Sequence, residues 1–295
     1  MVKIKTLTKR HCLQMKNVIT ITPSWLFTSK KDWTRGIARL EEMGLRVINK
    51  KFITRLPSPE GKAAQLHRAF LNSKAGIILA QRGGASSMKM LKHVNFDIIK
   101  KHPKVFAGFS DLSTLLNAIY ERTGQVTLHA PMVINFSKAS RFTATSFLNA
   151  INGFTRKNLF SGAPVNVYRE GTATGTLKGG NLVTLTTLIG TPWEIPTDGA
   201  ILFLEDVDEK LHEVDRYLSQ WILAGKFKRL KGLILGDFRG IKSDDVYRMI
   251  NGMMRVTFPV LHCPYIGHVK NKITLPVGAK VALDTRAKTL SLVGQ

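Results

Sequence analysis

The first half of this 295-residue chain alternates short apolar runs with amphipathic stretches, and that alternation limits what it can fold into. "NVITITPS" reads as a strand running into a loop. "WTRGIARLEEMGLRVI" reads as a helix stopped at Gly44 and followed by a strand. "GKAAQLHRAFLNS" is helical, "AGIILAQRGG" is a strand ending in glycines, "VNFDIIKKHP" is a short helix, and "KVFAGFSD" is the next strand. Strand–helix alternation implies a mostly parallel sheet covered on both faces. Ligand chemistry in such folds gathers at the carboxyl ends of the strands. Arg82, Gly83, Gly84 and Ser110 fall at such ends.

The pattern weakens between about 135 and 170, where one helix and a connection are expected. Short strands with glycine turns follow ("GTATGTLKGGNLVTLTTLIGTP", "GAILFLEDVDE"), then a helix at "LHEVDRYLSQWILAGKF", a strand at "LKGLILGDF" and a β-like tail from "LPVG". The reading is an α/β unit over 1–135, a connection over 136–165 and a β-rich α+β unit over 166–295.

With 44% apolar residues the chain can bury a large core. The two cysteines, Cys12 and Cys263, cannot form a disulfide framework and do not suggest a metal site, which fits a reducing compartment. The basic N-terminus has no apolar segment of signal-peptide type behind it, and no run is long enough to span a membrane. A soluble cytoplasmic protein is expected. Lysine and arginine total 44 against 20 acidic residues, a net charge of +24 that favours anionic partners. The basic residues are dispersed, and no RNA-binding or helix-turn-helix signature accompanies them, so a nucleic-acid partner is possible but not favoured. A dinucleotide fingerprint and a P-loop are absent, and no cofactor is expected.

Four stretches could carry chemistry. In "GFSDL", Ser110 stands where the strand period gives way to helical spacing at Leu112, Leu115, Leu116 and Ile119. A serine there is either a helix cap or a nucleophile whose oxyanion would meet the amide of Asp111, as at a nucleophile elbow. Glu205 ends the apolar strand "AILFLE", where a carboxylate can orient an imidazole, although Asp206 and Asp208 beside it could equally cap a helix. His268, after Gly267, and His129 in "VTLHAPM" are two loop histidines, either of which could be the base. The glycines of "LAQRGGASS" allow close backbone approach to an anion.

Together "RGG" at 82–84, "FDIIKKHPKVFAGFSDLSTLLNAIYERTGQVTLHAPM" at 96–132, "LKGGNLVTLTTLIGTP" at 177–192, "ILFLEDVDEKLHEVDRYLSQ" at 201–220 and "YIGHVKNKITLPVGAKVALD" at 265–284 resemble the LD-carboxypeptidases, serine peptidases that include muramoyltetrapeptide carboxypeptidase and the microcin C immunity peptidases. The resemblance implies an N-terminal amidotransferase-like α/β domain with a parallel sheet, a smaller β-rich C-terminal domain, and a homodimer. It implies a triad of Ser110, Glu205 and His268, with backbone amides at Gly84 and Asp111 as oxyanion hole. The implied reaction releases a terminal D-amino acid from cytoplasmic muropeptides. An immunity-type activity on peptidyl or aminoacyl nucleotides is the alternative, with Trp193 as a surface for a base. An inactive, basic nucleic-acid-binding homologue is a further one. Two departures stand out. The family's usual "RGGYG" is "RGGAS" here, and its frequent "GHG" is "GHV" with Lys270 close behind. If Ser86 had to take a positive φ, the cost would be about 1 kcal/mol or more.

Overall fold

Five parallel strands in the order β2-β1-β3-β4-β5 form the first sheet: β1 (Asn17–Ile21), β2 (Arg46–Val47), β3 (Ile77–Ala80), β4 (Val105–Gly108) and β5 (Thr127–His129). The computed structural model describes residues 16–294, so the basic N-terminal stretch and Cys12 lie outside the described residues. β3 is buried along its whole length, as expected of a parallel strand covered on both faces. The crossovers are α1 (Lys30–Glu42), α2 (Pro59–Leu71), α3 (Phe96–Lys101) and α4 (Ser113–Thr123). Ser29 and Ser58 cap α1 and α2 by accepting from the amides of Asp32 and Gly61. Gly124 closes α4 in the left-handed region at φ 73°, where a side chain would be strained. This strand order reverses direction between β1 and β3, which opens a crevice at their carboxyl ends.

After α5 (Val133–Phe136) and α6 (Arg141–Ile151) comes a second sheet. Its strands are β6 (Asn166–Arg169), β7 (Thr172–Asn181), β8 (Ala200–Asp206), β9 (Gly232–Phe238) and β10 (Val260–His262). Beyond β11 (Leu275–Val277), β12 (Lys280–Asp284) and β13 (Thr289–Leu292) complete it in the order β13-β12-β7-β8-β9-β10-β6. β7 to β10 run parallel, β6 and β12 flank them antiparallel, and β13 pairs antiparallel with β12. Helices α7 (Leu182–Thr186), α8 (Leu211–Leu223) and α9 (Ser243–Met253) lie between these strands in sequence. β11 pairs antiparallel with β5, so a segment from the C-terminal part of the chain edges the first sheet.

One buried apolar cluster runs through both sheets. Where they meet, Gly179 and Gly180 precede the last residue of β7, at φ 136° and 143°. A Cβ on Gly180 would drive into the Ser113 hydroxyl at the start of α4, and one on Gly179 into the Phe203 carbonyl. The bare backbone lets α4 seat directly: Asn117 Nδ2 donates to Gly179 O at 2.9 Å, and the Asn181 amide donates to Ser113 Oγ at 3.0 Å. The helix that follows Ser110 is thereby fixed to the strand whose last residue, Asn181, pairs in register with Glu205. Among the described residues no helix is long and apolar enough to cross a membrane.

Candidate active site

The backbone at Ser110 has φ 64°, a left-handed conformation that costs a non-glycine residue energy. β4 ends at Gly108, Ser110–Leu112 forms a single tight 3-10 turn, and α4 starts at Ser113. Capping does not account for this strain. The residue before α4 is Leu112, without a side-chain cap bond, and Asp111 turns away from the helix. Its Oδ2 accepts from the amides of Ser86 and Ser87 at 3.0 and 2.8 Å and from the Ser24 hydroxyl. Strain held in place by neighbouring structure is what a nucleophile elbow requires.

The glycine loop closes on this turn. A Cβ on Gly83 would lie 3.0 Å from both Cβ and Oγ of Ser110, so glycine leaves the space the serine occupies. Gly84, at φ 153°, packs against the Ser24–Trp25 segment that follows β1. Among the described residues the amides of Gly84 and Asp111 donate to no protein acceptor. Ser86, which would be strained at positive φ, sits at φ −139° and carries no such cost.

Glu205, with no exposed surface, lies one residue before the end of β8, which runs on to Asp206 rather than ending at Glu205 as read from the sequence. Its Oε2 lies 2.8 Å from His268 Nδ1. Burial alone would push this carboxyl up, but the facing His268 ring, with Lys272, holds it below its ordinary value. Room for the carboxylate comes from Gly236 of β9 and from Gly267, where a Cβ would meet Glu205 at about 2.9 Å. The His268 ring lies 4.7 Å from that of Phe109, centroid to centroid, and so next to the Ser110 turn. Its side chain is 17% exposed. Among the described residues no hydrogen bond joins it to Ser110 Oγ. Arg239 donates to the His268 carbonyl at 2.7 Å.

His129, read from sequence as a loop histidine and possible base, is neither. It is the last residue of β5, fully buried between the rings of Phe109 and Phe203, with no partner for either ring nitrogen. Burial pushes its pKa down to about 3, so it stays neutral. Trp193 packs against Phe96 in a tilted arrangement, ring centroids 5.5 Å apart, with the Arg122 guanidinium over its ring. Packing accounts for it. Asp206 accepts from Asn181, from the Val183 amide in the first turn of α7 and from Val207, so it secures the turn after β7.

Sequence reasoning missed Lys272. It is 1% exposed, donates to the Gly267 carbonyl beside His268, and sits 3.8 Å over the Phe109 ring. Burial pushes its pKa down to about 8 against the pull of Glu205 and Asp237. A lysine in a loop is ordinarily solvated, so nothing in the sequence signals it. Among the described residues no cluster of histidine, cysteine or carboxylate side chains could hold a metal ion.

Residues 18–130 match the model of the LD-carboxypeptidase N-terminal domain, and residues 174–283 match that of the C-terminal domain. The chain is 33% identical over 267 residues to a probable murein peptide carboxypeptidase of Bacillus subtilis, covering 85% of this chain and 83% of that protein. A muramoyltetrapeptide carboxypeptidase from Oxalobacter formigenes superposes with a TM-score of 0.80 at 28% identity, over 94% of this chain and 97% of that one. A structure of MccF in complex with glutamyl sulfamoyl guanosine superposes with a TM-score of 0.83 at 25% identity, over 96% and 97%.

Proposed function

The chain belongs to the LD-carboxypeptidase family, and we propose that it is a serine carboxypeptidase cleaving the amide between an L-centre and a terminal D-amino acid of muropeptides. The observation that carries this reading is the buried Glu205 carboxylate at 2.8 Å from His268 Nδ1, with the imidazole against the strained turn of Ser110. Residues 1–135 supply the nucleophile in this reading, residues 166–295 the acid and base, and 136–165 the connection.

Glu205 accepts the Nδ1 proton of His268 and leaves Nε2 free to act as a base. His268 takes the Ser110 hydroxyl proton as Oγ attacks the carbonyl carbon. The amides of Gly84 and Asp111 receive the oxyanion. The C–N bond breaks as His268 returns the proton to the leaving amine, and the terminal amino acid departs. Water, deprotonated by the same imidazole, then attacks the Ser110 ester, and hydrolysis regenerates the hydroxyl. The substrate carries carboxylates, so the excess of basic residues favours its encounter with the protein. A cytoplasmic location and a homodimer belong to the same proposal. The free, buried thiol of Cys263 fits a reducing compartment.

The purified protein, beside Ser110→Ala, is to be incubated with a disaccharide tetrapeptide from peptidoglycan and followed by mass spectrometry. Loss of terminal D-alanine is expected from the wild type and not from the variant. Equal release by both would overturn the assignment of Ser110. The likeness to MccF supports a second reading, hydrolysis of peptidyl or aminoacyl nucleotides. Trp193 is already occupied by Phe96 and Arg122, so a base would need another platform. Serine-dependent cleavage of an aminoacyl sulfamoyl nucleoside alone would favour this second activity.

A further inference from the structure

The substitution of serine for the family's glycine at position 86 leads to a buried charge on a different element. Lys62 lies in the first turns of α2 and is 2% exposed. Its Nζ donates to Ser86 Oγ at 2.6 Å and to the Ser24 carbonyl at 2.6 Å. Ser86 Oγ in turn donates to the Ser24 carbonyl at 2.8 Å. On the far side, Asp111 Oδ2 gathers the Ser24 hydroxyl and the amides of Ser86 and Ser87. Ser87 Oγ donates to the Asp111 carbonyl at 2.6 Å.

A buried ammonium and a buried carboxylate thus face each other across two serines. They join three segments that are distant in sequence: the loop after β1, the glycine loop after β3, and the residue that follows the nucleophile. The meeting place is the crevice where the strand order reverses. We propose that Lys62 is a positioning residue, which acts through Ser24 and Ser86 to hold the Gly83–Gly84 segment against the Ser110 turn. The proposal rests on the peptidase reading above for its kinetic consequence, though not for its structural one.

The contacts carry this further than packing alone. Gly84 is wedged against Ser24 and Trp25: a Cβ at Gly84 would come 2.6 Å from Trp25 Cβ and 2.8 Å from Ser24 Oγ. Whatever fixes Ser24 therefore fixes Gly84, and Lys62 fixes the Ser24 carbonyl. Burial lowers the proton affinity of Lys62, and Asp111 partly restores it, as expected of a charge kept out of water for its partners. Ser86 converts what would be a plain glycine turn into the link that lets Lys62 reach the loop. A transition-state donor displaced by a fraction of an ångström loses much of its value, while ground-state binding by other contacts survives.

The test compares Lys62→Met, Ser86→Ala and the double variant with the wild type. It measures kcat and KM on the disaccharide tetrapeptide and amide hydrogen exchange in residues 82–90. Lys62→Met is expected to lower kcat about 100-fold with KM changed less than about threefold, the pattern of lost transition-state alignment. Ser86→Ala is expected to lower kcat about tenfold, and the double variant to be no slower than Lys62→Met, because both cut one link. Exchange at Ser86 and Ser87 quickens in each. Wild-type kcat and wild-type exchange in Lys62→Met, or full additivity in the double variant, would overturn the proposal. If Lys62→Met fails to fold, Ser86→Ala decides alone: unchanged exchange at Ser86 and Ser87 refutes the clamp. A wild type that hydrolyses neither candidate substrate would refute the peptidase reading, and the exchange data would still decide the clamp.

Discussion

Replacing Lys272 by methionine is expected to make this protein more stable at pH 7 and less active. Lys272 is almost fully buried, and its proton affinity falls from 10.5 to about 8 because burial penalises the charged form more than Glu205 and Asp237 favour it. At 1.36 kcal/mol per pH unit, that difference corresponds to a penalty of about 3 kcal/mol. The folded pKa lies below the unfolded one. Below pH 8 both states are therefore protonated and the full penalty is present. Between pH 8 and 10.5 the folded protein sheds the proton while the unfolded chain keeps it, so stability rises with pH. Above 10.5 the penalty is gone. Methionine is close in volume but leaves the Gly267 carbonyl without its donor, which costs about 1 kcal/mol. The net expectation is a gain of about 2 kcal/mol at pH 7, shrinking to nothing or reversing by pH 10.5. Urea unfolding of both proteins at several pH values measures it. A variant less stable than the wild type at pH 7, or a difference that stays constant with pH, would refute the reasoning. The activity loss follows from the same contacts, since Lys272 holds the loop that carries His268 and covers Phe109 beside Ser110.

Two further substitutions probe the seam between the sheets. Glu205→Gln keeps the shape of the side chain but removes its charge and lets an amide NH2 donate to His268 Nδ1, which favours the wrong tautomer, and a fall in kcat of about 10⁴-fold is expected in single turnovers. Gly180→Ala puts a methyl into the Ser113 hydroxyl at a φ of 143°, and a loss of about 2–4 kcal/mol in urea unfolding is expected, with kcat reduced as well.

The sequence carried the first sheet well because its signals are local. The buried run of β3, the glycine at the end of α4 and the change of period at Ser110 each lie within a dozen residues. Glu205 was legible as the carboxylate that closes an apolar run, one residue short of where β8 ends. The histidine was not. His129 and His268 stand in equally short apolar contexts, and the resemblance, rather than spacing, distinguished them. The structure separates them because β5 is a three-residue strand enclosed on every side, too short to announce itself by alternation. Helix α9 went unread although its signals were present: two aspartates in the first turn, with Val246 and Ile250 four apart as its buried stripe. The contacts of Lys62, Ser86 and Asp111 span 24 to 87 residues, and those of Lys272 depend on a lysine being where lysines rarely are. No window along the sequence could hold either set.

The path of the chain around His268 explains why the site lies where two sheets meet. Before it, the Cys263 amide donates to the Leu235 carbonyl and the Ile266 carbonyl accepts from the Asp237 amide, which ties that side to β9 of the second sheet. After it, Leu275 pairs with His129, so the chain has crossed to the first sheet within seven residues of the imidazole. His268 is thus stretched between the sheet that holds Glu205 and the sheet whose β4 leads into Ser110. Gly180 and Asn181 make the same crossing from the other direction, seating β7 on the helix that follows Ser110. Two ties at separate points fix the relative position of the sheets far better than one. Neither sheet alone carries Ser110, Glu205 and His268 together, so under the proposed mechanism a change that loosens the seam is expected to lower activity even when it touches none of the three. That is why Gly180, remote from the chemistry by residue type, belongs among the positions expected to control it.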